Sequence, residues 1–280
     1  MTVATIGPIL LFCPGQRPER FAKAIDAADQ AILDLEDAVP PHQKDEARAH
    51  VVAALSQFDP EKIVVRINQI HTEHGQKDIA AIKQTAAKYV MVPKAEDPDA
   101  LQQLARFRLI VIIESLKGLR NIDALCAVEH VDSVVWGDQD FAADIPAART
   151  RDDDGNYLPN ITRLRVDTLF AAAAARIIPM DAIYLDLNDD AGLIKATKDG
   201  FAMGFRAKVA LHPRQVPVMR DAIRPDADTI AWAKRIVQAD ADAAGGVTTV
   251  DGAMVDGPVV MQATQVLLLA GEDVPKRPGA

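Results

Sequence analysis

The sequence lacks the features that mark several classes of protein. Its 280 residues include two cysteines, Cys13 and Cys126, which are too few for a disulfide framework or a zinc cluster. No apolar run approaches the roughly 18 residues of a membrane span, and the N-terminus has neither the basic segment nor the cleavage site of a signal peptide. We therefore predict a cytoplasmic protein with no membrane partner.

Basic residues are also scarce. The chain has 31 Lys and Arg against 40 Asp and Glu, which gives a formal net charge of −9. A chain this acidic does not present the broad basic surface that binds nucleic acid, although a local basic patch for a phosphorylated ligand is compatible with it. The hydrophobic fraction of 49% and the charged fraction of 25% are typical of globular proteins and exclude a disordered chain.

A strand-and-helix rhythm repeats along the chain. Eight short apolar runs rich in β-branched residues recur, and Ala-rich amphipathic stretches separate most of them. Eight strands that alternate with helices predict an α/β fold, the (β/α)₈ TIM barrel. A doubly wound sheet is the alternative, but no Gly-rich first turn supports it. The predicted strands cover residues 8–15, 31–37, 62–68, 89–94, 108–114, 132–138, 181–187 and 207–213.

Two segments do not follow this rhythm. The charged stretch 146–160, which contains Pro and Gly, predicts a long surface loop that could cover the site. The chain also continues past the eighth strand. We assign residues 1–225 to the barrel and 226–280 to a C-terminal helical extension, which includes a helix-like segment over 229–244. The extension is too apolar for a linker, so we expect it to pack on the barrel or on a neighbouring subunit.

Charged residues follow several predicted strands. In a TIM barrel the C-terminal strand ends face the active site, and packing alone does not explain charge there, because a buried unpaired charge costs several kcal/mol. Glu36 and Asp37 lie at the end of the second predicted strand, Arg66 near the end of the third and Lys94 at the end of the fourth, and we assign all four to substrate binding. Arg66 could clamp a substrate carboxylate or pair with Glu36 or Asp37, and these roles are compatible.

Two carboxylates end neighbouring strands farther along the chain. Glu114 follows the fifth strand and Asp140 the sixth, with no cysteine and no histidine pair nearby. Such a hard-oxygen site suits Mg²⁺, which takes one or two protein carboxylates together with water and substrate oxygens. The alternative is that either carboxylate pairs with a basic neighbour such as Lys94.

Three other reactive side chains are weaker candidates. His212 precedes Pro213 at a strand end, where a structural hydrogen bond is at least as common as acid–base chemistry. Cys13 has no adjacent histidine to activate it as a nucleophile, and Cys126 lies in a helical stretch and is expected in the core.

Eight motifs together resemble a known family. In this order they resemble the citrate lyase β-subunit-like proteins of the HpcH/HpaI aldolase superfamily, over about residues 8 to 270. The resemblance implies a TIM barrel, assembly into trimers or hexamers, and Mg²⁺-dependent cleavage or formation of a carbon–carbon bond between a 2-oxo acid and acetyl-CoA or a related thioester. The motifs are LFCPGQRPERFAKA, AILDLEDAV, VVRIN, VMVPKAE, VIIES, WGDQDFAADI, LHPRQV and DGAMVDGP.

The resemblance also implies roles for individual residues. Glu114 and Asp140 match the Mg²⁺ ligands of the family, and Arg66 matches the catalytic arginine that clamps the carboxylate of the oxo acid. Asp256, in the motif MVD, matches an aspartate that acts as catalytic acid or base over the barrel mouth of a neighbouring subunit.

Two further points concern CoA binding and the metal surroundings. The basic residues Arg17, Arg20 and Lys23 follow the first strand and could contact the CoA phosphates, although an exposed helix start is an equal explanation. Gln139 departs from the family pattern, because many relatives have Glu immediately before the metal-binding aspartate. Asp138 beside it could compensate.

The leading hypothesis is therefore a lyase that acts on a 3-hydroxyacyl-CoA thioester of the citramalyl-CoA, malyl-CoA or citryl-CoA type. It would release a 2-oxo acid and acetyl-CoA, or catalyse the reverse condensation. One alternative is the citryl lyase (β) subunit of a multi-subunit citrate lyase. Another is a CoA-independent 4-hydroxy-2-oxo acid aldolase, and a third is a binding protein that has lost its chemistry.

Overall fold

A closed barrel of eight parallel strands forms most of the molecule. The computed structural model describes residues 6–243 and 246–274. Each strand pairs in parallel with the next along the chain, and the last pairs with the first. This topology confirms the predicted TIM barrel. The strands are β1 (Ile9–Pro14), β2 (Gln30–Asp34), β3 (Ile63–Arg66), β4 (Tyr89–Val92), β5 (Arg108–Ile113), β6 (Val131–Trp136), β7 (Ile178–Asp181) and β8 (Ala207–Ala210).

Helices cover the outside of the barrel and connect its strands. The β4–β5 connection contains a 3₁₀ helix, Asp99–Leu104, and the other connections carry α-helices. Polar side chains begin some of these helices by accepting a backbone N–H, as Ser115 does from Gly118 at 3.0 Å. The helices of this part are α1 (Phe21–Ala27), α2 (Lys44–Gln57), α3 (Glu73–Ile82), α4 (Leu116–Arg120), α5 (Ile122–Cys126), α6 (Asp138–Asp144), α7 (Pro159–Ala175), α8 (Asp190–Met203) and α9 (Gln215–Ile223).

The barrel interior is a packed apolar core rather than a channel. Successive side chains of a strand point to opposite faces, so alternate residues of every strand fill the interior. Each of the eight strands contributes to one buried cluster, which includes Leu10, Ile32, Val64, Met91, Ile112, Val135, Met180 and Val209. Polar side chains therefore gather above this cluster, at the ends of the strands.

The seventh strand lies earlier than predicted. The sequence pattern favoured 181–187, but β7 covers Ile178–Asp181 and the following residues form a loop. The alternating segment DAIYLDL resembles a strand, yet Leu185 is 51% exposed and Leu187 is 37% exposed. Pro179 hides the true strand, because proline is unfavourable within a sheet. Asp181 therefore lies at the C-terminal end of a strand and not at its start.

A second compact unit follows the barrel. The division falls between Met219 and Arg220, inside α9, whereas the sequence analysis placed the boundary at 225/226. The second unit contains α10 (Ala227–Asp242), an antiparallel hairpin of β9 (Thr248–Val250) and β10 (Ala253–Val255), and α11 (Gly257–Ala270). Its own core includes Ala233, Ile236, Val237, Val255, Val260, Ala263 and Leu267.

The C-terminal unit thus contains the predicted helical extension together with a hairpin that the sequence analysis did not predict. In residues 6–243 and 246–274, no helix has the length and apolar character needed to cross a membrane.

Two leucine substitutions test the barrel core and the position of β7. Leu10 is fully buried in the barrel interior, so Leu10→Ala should lower the free energy of unfolding by about 2–5 kcal/mol. Leu185→Ala should change it by less than about 0.5 kcal/mol, because that side chain is exposed. Denaturant unfolding measures both, and a large loss for Leu185→Ala would support the strand at 181–187 instead.

Candidate active site

The charged residues predicted from the strand ends lie together at the C-terminal mouth of the barrel. Arg66 is the last residue of β3, while Glu36, Lys94 and Glu114 follow β2, β4 and β5. Asp140 lies in the first turn of α6, just after β6. Contacts connect these five residues in a continuous chain, because the carboxyl ends of parallel strands meet at one edge of the barrel.

Arg66 is held chiefly by Asp34. Its Nε and Nη2 atoms each donate a hydrogen bond to one Asp34 oxygen at 2.7 Å, which is a bidentate pair. Its Nη1 atom lies 3.0 Å from Glu36 Oε2, and its guanidinium carbon lies 4.5 Å from the Phe12 ring centroid. Burial lowers the pKa of Arg66, but the surrounding carboxylates, of Asp34 above all, outweigh it and raise this pKa.

The sequence analysis named Glu36 or Asp37 as the ion-pair partner of Arg66. Glu36 is a partner, but Asp37 lies at the edge, with its nearest oxygen 3.9 Å from Nη1 and its side chain 62% exposed. Asp34 takes the main role because it is the last residue of β2, directly beside Arg66 in the register of the two strands. The backbone N–H groups of Glu36 and Ala38 fix its carboxylate at 2.9 and 3.1 Å.

Lys94 connects the two halves of the mouth. Its Nζ atom lies 3.1 Å from Asp140 Oδ1 and 3.4 Å from Glu36 Oε1, and its backbone N–H donates to Glu114 Oε1 at 2.8 Å. Lys94 has a φ of 46°, an uncommon conformation for a residue with a side chain. Burial lowers the pKa of Lys94, but Glu36, Glu114 and Asp140 together raise it.

Glu114 is a buried carboxylate in crowded surroundings. Burial, followed by the negative charge of Asp140, raises its pKa to about 8, and Lys94 only partly opposes the shift. Gly137 packs directly against it, since a Cβ at position 137 would lie 2.8 Å from Glu114 Oε2. A side chain at position 137 would therefore force the Glu114 carboxylate to move.

Asp138 and Gln139 directly precede Asp140 at the start of α6. Asp138 is buried, and Gln139 Nε2 donates to Asp138 Oδ2 at 3.1 Å. Asp140 itself remains 38% exposed and faces Lys94. Gln139 thus contacts the neighbouring carboxylate of Asp138.

The other predicted residues lie apart from this cluster or in the second unit. Arg17 and Arg20 border the 3₁₀ turn after β1 and Lys23 lies in α1, and all three are exposed. Asp256 is exposed and lies immediately before α11, where its carboxylate accepts the backbone N–H of Val259 at 3.4 Å.

The weaker candidates have structural surroundings. His212 is exposed, with Nδ1 3.2 Å from the backbone nitrogen of Arg214. Burial raises the thiol pKa of Cys13 to about 11 and that of Cys126 to about 12. Neither thiol is therefore a reactive thiolate at neutral pH.

An ionic cluster that the sequence pattern does not reveal connects the C-terminal end of β7 with β8. Asp181 is buried and contacts Lys208, Arg165 and the indole of Trp136. The shifted position of the seventh strand concealed it, because a strand over 181–187 places Asp181 at the opposite face. The signal that could have revealed it is the short apolar run IIPMD, which ends in this aspartate.

A comparison with the sequence models of known protein families covers most of the barrel. The sequence model of the HpcH/HpaI aldolase/citrate lyase family matches residues 8–213. The chain belongs to this family. The match spans all eight strands, and the resemblance noted from short motifs is thereby confirmed.

Individual relatives extend the similarity over nearly the whole chain. The chain is 39% identical over 272 residues to a citrate lyase subunit beta-like protein of Mycobacterium tuberculosis, covering 97% of this chain and 98% of that protein. It is 29% identical over 292 residues to the human mitochondrial citramalyl-CoA lyase, covering 93% and 84% respectively. The crystal structure of CitE from M. tuberculosis in complex with magnesium, acetoacetate and coenzyme A superposes with a TM-score of 0.86 at 39% identity, covering 95% of this chain and 98% of that one.

Asp34 and Asp37 offer a matched test of the Arg66 site. Asp34→Ala removes the bidentate partner of a largely buried guanidinium, so the free energy of unfolding should fall by about 3 kcal/mol. Asp37→Ala should lower it by less than about 0.5 kcal/mol, because that carboxylate is exposed and distant. Equal effects in denaturant unfolding would show that Asp34 is not the main partner.

Proposed function

We propose that this protein is a Mg²⁺-dependent carbon–carbon lyase. It cleaves a 3-hydroxyacyl-CoA thioester of the citramalyl-CoA, malyl-CoA or citryl-CoA type into a 2-oxo acid and acetyl-CoA, or catalyses the reverse condensation. The observation that carries this proposal is the cluster at the barrel mouth in which Glu36 and Lys94 connect Arg66, Glu114 and Asp140. Support also comes from the human citramalyl-CoA lyase and from the CitE complex with magnesium and coenzyme A.

The residues of the mouth fit a magnesium ion. Burial above all, and then the negative charge of Asp140, raise the pKa of Glu114, so a cation beside these two carboxylates would be favourable. Across the described ranges 6–243 and 246–274, no three His, Cys, Asp or Glu side chains group as a metal site. Two carboxylates completed by water and substrate oxygens are what Mg²⁺ accepts. The ion would act as a Lewis acid on the hydroxyl oxygen of the substrate carbon whose C–C bond breaks.

Arg66 is suited to bind and orient the carboxylate of the oxo acid. Asp34 holds it through Nε and Nη2, which fixes the plane of the guanidinium. Glu36 Oε2 lies 3.0 Å from Nη1, yet within the described chain this buried oxygen accepts no aligned hydrogen bond. A substrate carboxylate can therefore take Nη1 as its donor without breaking the pair that holds Arg66 in position.

Glu36 and Lys94 complete the substrate pocket. Burial raises the pKa of Glu36, and the positive charges of Arg66 and Lys94 oppose this shift. The Lys94 ammonium contacts both Glu36 and Asp140, so it can pair with either carboxylate or with the anionic substrate. Asp37, at the exposed edge, contributes charge rather than direct contact with Arg66.

Two parts of the proposal involve groups outside the cluster. Asp256 is our candidate for the acid or base that protonates the thioester enolate, or removes the acetyl proton in reverse, and it would act at the barrel of a neighbouring subunit in a trimer or hexamer. Arg17, Arg20 and Lys23 are exposed after β1 and could contact the CoA phosphates. A cytoplasmic location agrees with the two free, buried cysteines.

A thioester panel tests the reaction. Citramalyl-, malyl- and citryl-CoA are each incubated with the protein and Mg²⁺, and release of a 2-oxo acid is measured. Glu114→Gln should reduce turnover at least about 100-fold, because a metal ligand that contributes several kcal/mol is lost. The control Glu96→Gln removes a nearby carboxylate that bonds Ser115 and Lys117 instead, and it should stay within a fewfold of the wild type.

The same panel separates the alternatives. Cleavage of free 4-hydroxy-2-oxo acids with no thioester present would indicate the CoA-independent aldolase. Activity only on a thioester carried by an acyl-carrier partner would indicate the subunit of a multi-subunit citrate lyase. Turnover by Glu114→Gln equal to that of the wild type would contradict the metal site.

Mixed oligomers test the role of Asp256. Arg66→Ala and Asp256→Ala should each be inactive alone, but an equal mixture reassembled from subunits should recover activity in about a quarter of its sites, since some intact barrels then meet an intact Asp256 from a neighbour. Normal activity of Asp256→Ala alone would show that the C-terminal unit is structural. No recovery on mixing would contradict delivery by a neighbour.

A further inference from the structure

The seventh strand is a weak part of the barrel wall. β7 has four residues, and Pro179 within it has no N–H to donate to a neighbouring strand. Its register with β6 reaches Val135–Met180, and with β8 it consists of Met180–Ala207 and Asp181–Lys208. At the C-terminal end of β7, which faces the active site, the ladder with β6 thus stops one residue before Asp181, and the ladder with β8 has two pairs only.

A buried ionic cluster lies at the C-terminal end of β7. Arg165 donates to both oxygens of Asp181 at 3.1 and 3.0 Å, and Lys208 Nζ lies 3.2 Å from Oδ2 and donates to the Ala182 carbonyl at 2.6 Å. Asp181 and Lys208 are 2% and 3% exposed. A buried carboxylate that contacts two cations fixes its neighbours in one arrangement, because any other arrangement would leave a charge unpaired.

Trp136 connects this cluster to β6. Its indole Nε1–H donates to Asp181 Oδ1 at 3.0 Å, one position beyond the last pair of the β6–β7 register. The Tyr157 ring packs edge-on against the indole, with ring centroids 5.2 Å apart at 77°, and the Arg151 guanidinium lies 3.7 Å from the centroid of Tyr157. The Trp136 side chain is thus held by its hydrogen bond to Asp181 and by contact with the loop that precedes α7.

The residues that follow Trp136 contact one of the two candidate metal carboxylates and carry the other. Gly137 donates its N–H to the Ile113 carbonyl at 3.0 Å and packs against the side chain of Glu114. The next residues begin α6, which carries Asp140. A displacement at Trp136 would therefore move the backbone that packs against one carboxylate and supports the other.

We infer that Trp136 and Asp181 are positioning residues for the metal carboxylates. Asp181, anchored by Arg165 and Lys208 in the layer between barrel and helices, fixes the indole of Trp136. Trp136 in turn fixes the position of Gly137 against Glu114 and the start of α6. The inference rests on the proposed function, because it takes Glu114 and Asp140 as the Mg²⁺ ligands.

Trp136→Phe is the most direct test, since it removes the indole N–H and keeps an aromatic ring in the core. Mg²⁺ alone is titrated into the full-length protein by calorimetry at 20 °C, and thermal unfolding is recorded in parallel. We expect Trp136→Phe to weaken Mg²⁺ binding about threefold to tenfold, the range expected for one lost hydrogen bond. The control Leu55→Ala removes a buried side chain of α2, away from β6 and β7, and should lower the melting temperature without changing Mg²⁺ affinity.

The possible results distinguish a failure of this inference from a failure of the proposed function. Wild-type Mg²⁺ affinity in Trp136→Phe would overturn the inference and leave the proposed function intact. Loss of Mg²⁺ affinity in Leu55→Ala to the same extent would overturn it as well, because affinity would then follow stability alone. No saturable Mg²⁺ binding by the wild type would contradict the metal site itself and the inference with it.

Asp181→Asn provides a second variant if Trp136→Phe folds poorly. The amide oxygen can still accept the indole N–H, but the charge that pairs with Arg165 and Lys208 is gone. We expect a lower melting temperature and a weaker affinity for Mg²⁺ at 20 °C. A lower melting temperature with unchanged affinity would assign Asp181 to stability only.

Discussion

The charge of the barrel mouth is the constraint on which the rest of the site depends. Asp34, Glu36, Asp37, Glu114 and Asp140 bring five carboxylates to one end of the barrel, and Arg66 and Lys94 are the cations in contact with them. Arg66 is largely committed to Asp34, so Lys94 is shared between Glu36 and Asp140. Burial, followed by the negative charge of Asp140, raises the pKa of Glu114 to about 8, and Lys94 offsets only part of this rise.

This excess of negative charge also determines how a substrate can bind. A 2-oxo acid is itself an anion, and the excess of carboxylates over Arg66 and Lys94 would repel it unless a further cation were bound. A divalent ion held by Glu114 and Asp140 would neutralise these two carboxylates, and Arg66 would then offer a fixed donor for the substrate carboxylate. In the proposed function the metal would therefore support substrate binding as well as chemistry.

The fold and much of the site follow from the sequence because both depend on local patterns. Apolar runs that end in charge reveal parallel strands with a polar mouth, which is how Arg66, Glu114 and Asp140 are found. Partners that depend on register are harder to predict. The sequence pattern does not single out Asp34 as the partner of Arg66, because its bidentate contact requires the alignment of β2 with β3. Asp181 was missed because Pro179 disguises β7, while the exposed leucines after it resemble a strand.

The most direct test of the central claim is the coupling between metal and oxo acid. Pyruvate, the 2-oxo acid that a citramalyl-CoA lyase would release, is titrated into the wild-type protein with saturating Mg²⁺ and, separately, with a chelator. The account predicts that pyruvate binds at least about tenfold more tightly with Mg²⁺, and by thermodynamic reciprocity that pyruvate tightens Mg²⁺ binding by the same factor. Equal pyruvate affinity in the two conditions would contradict it.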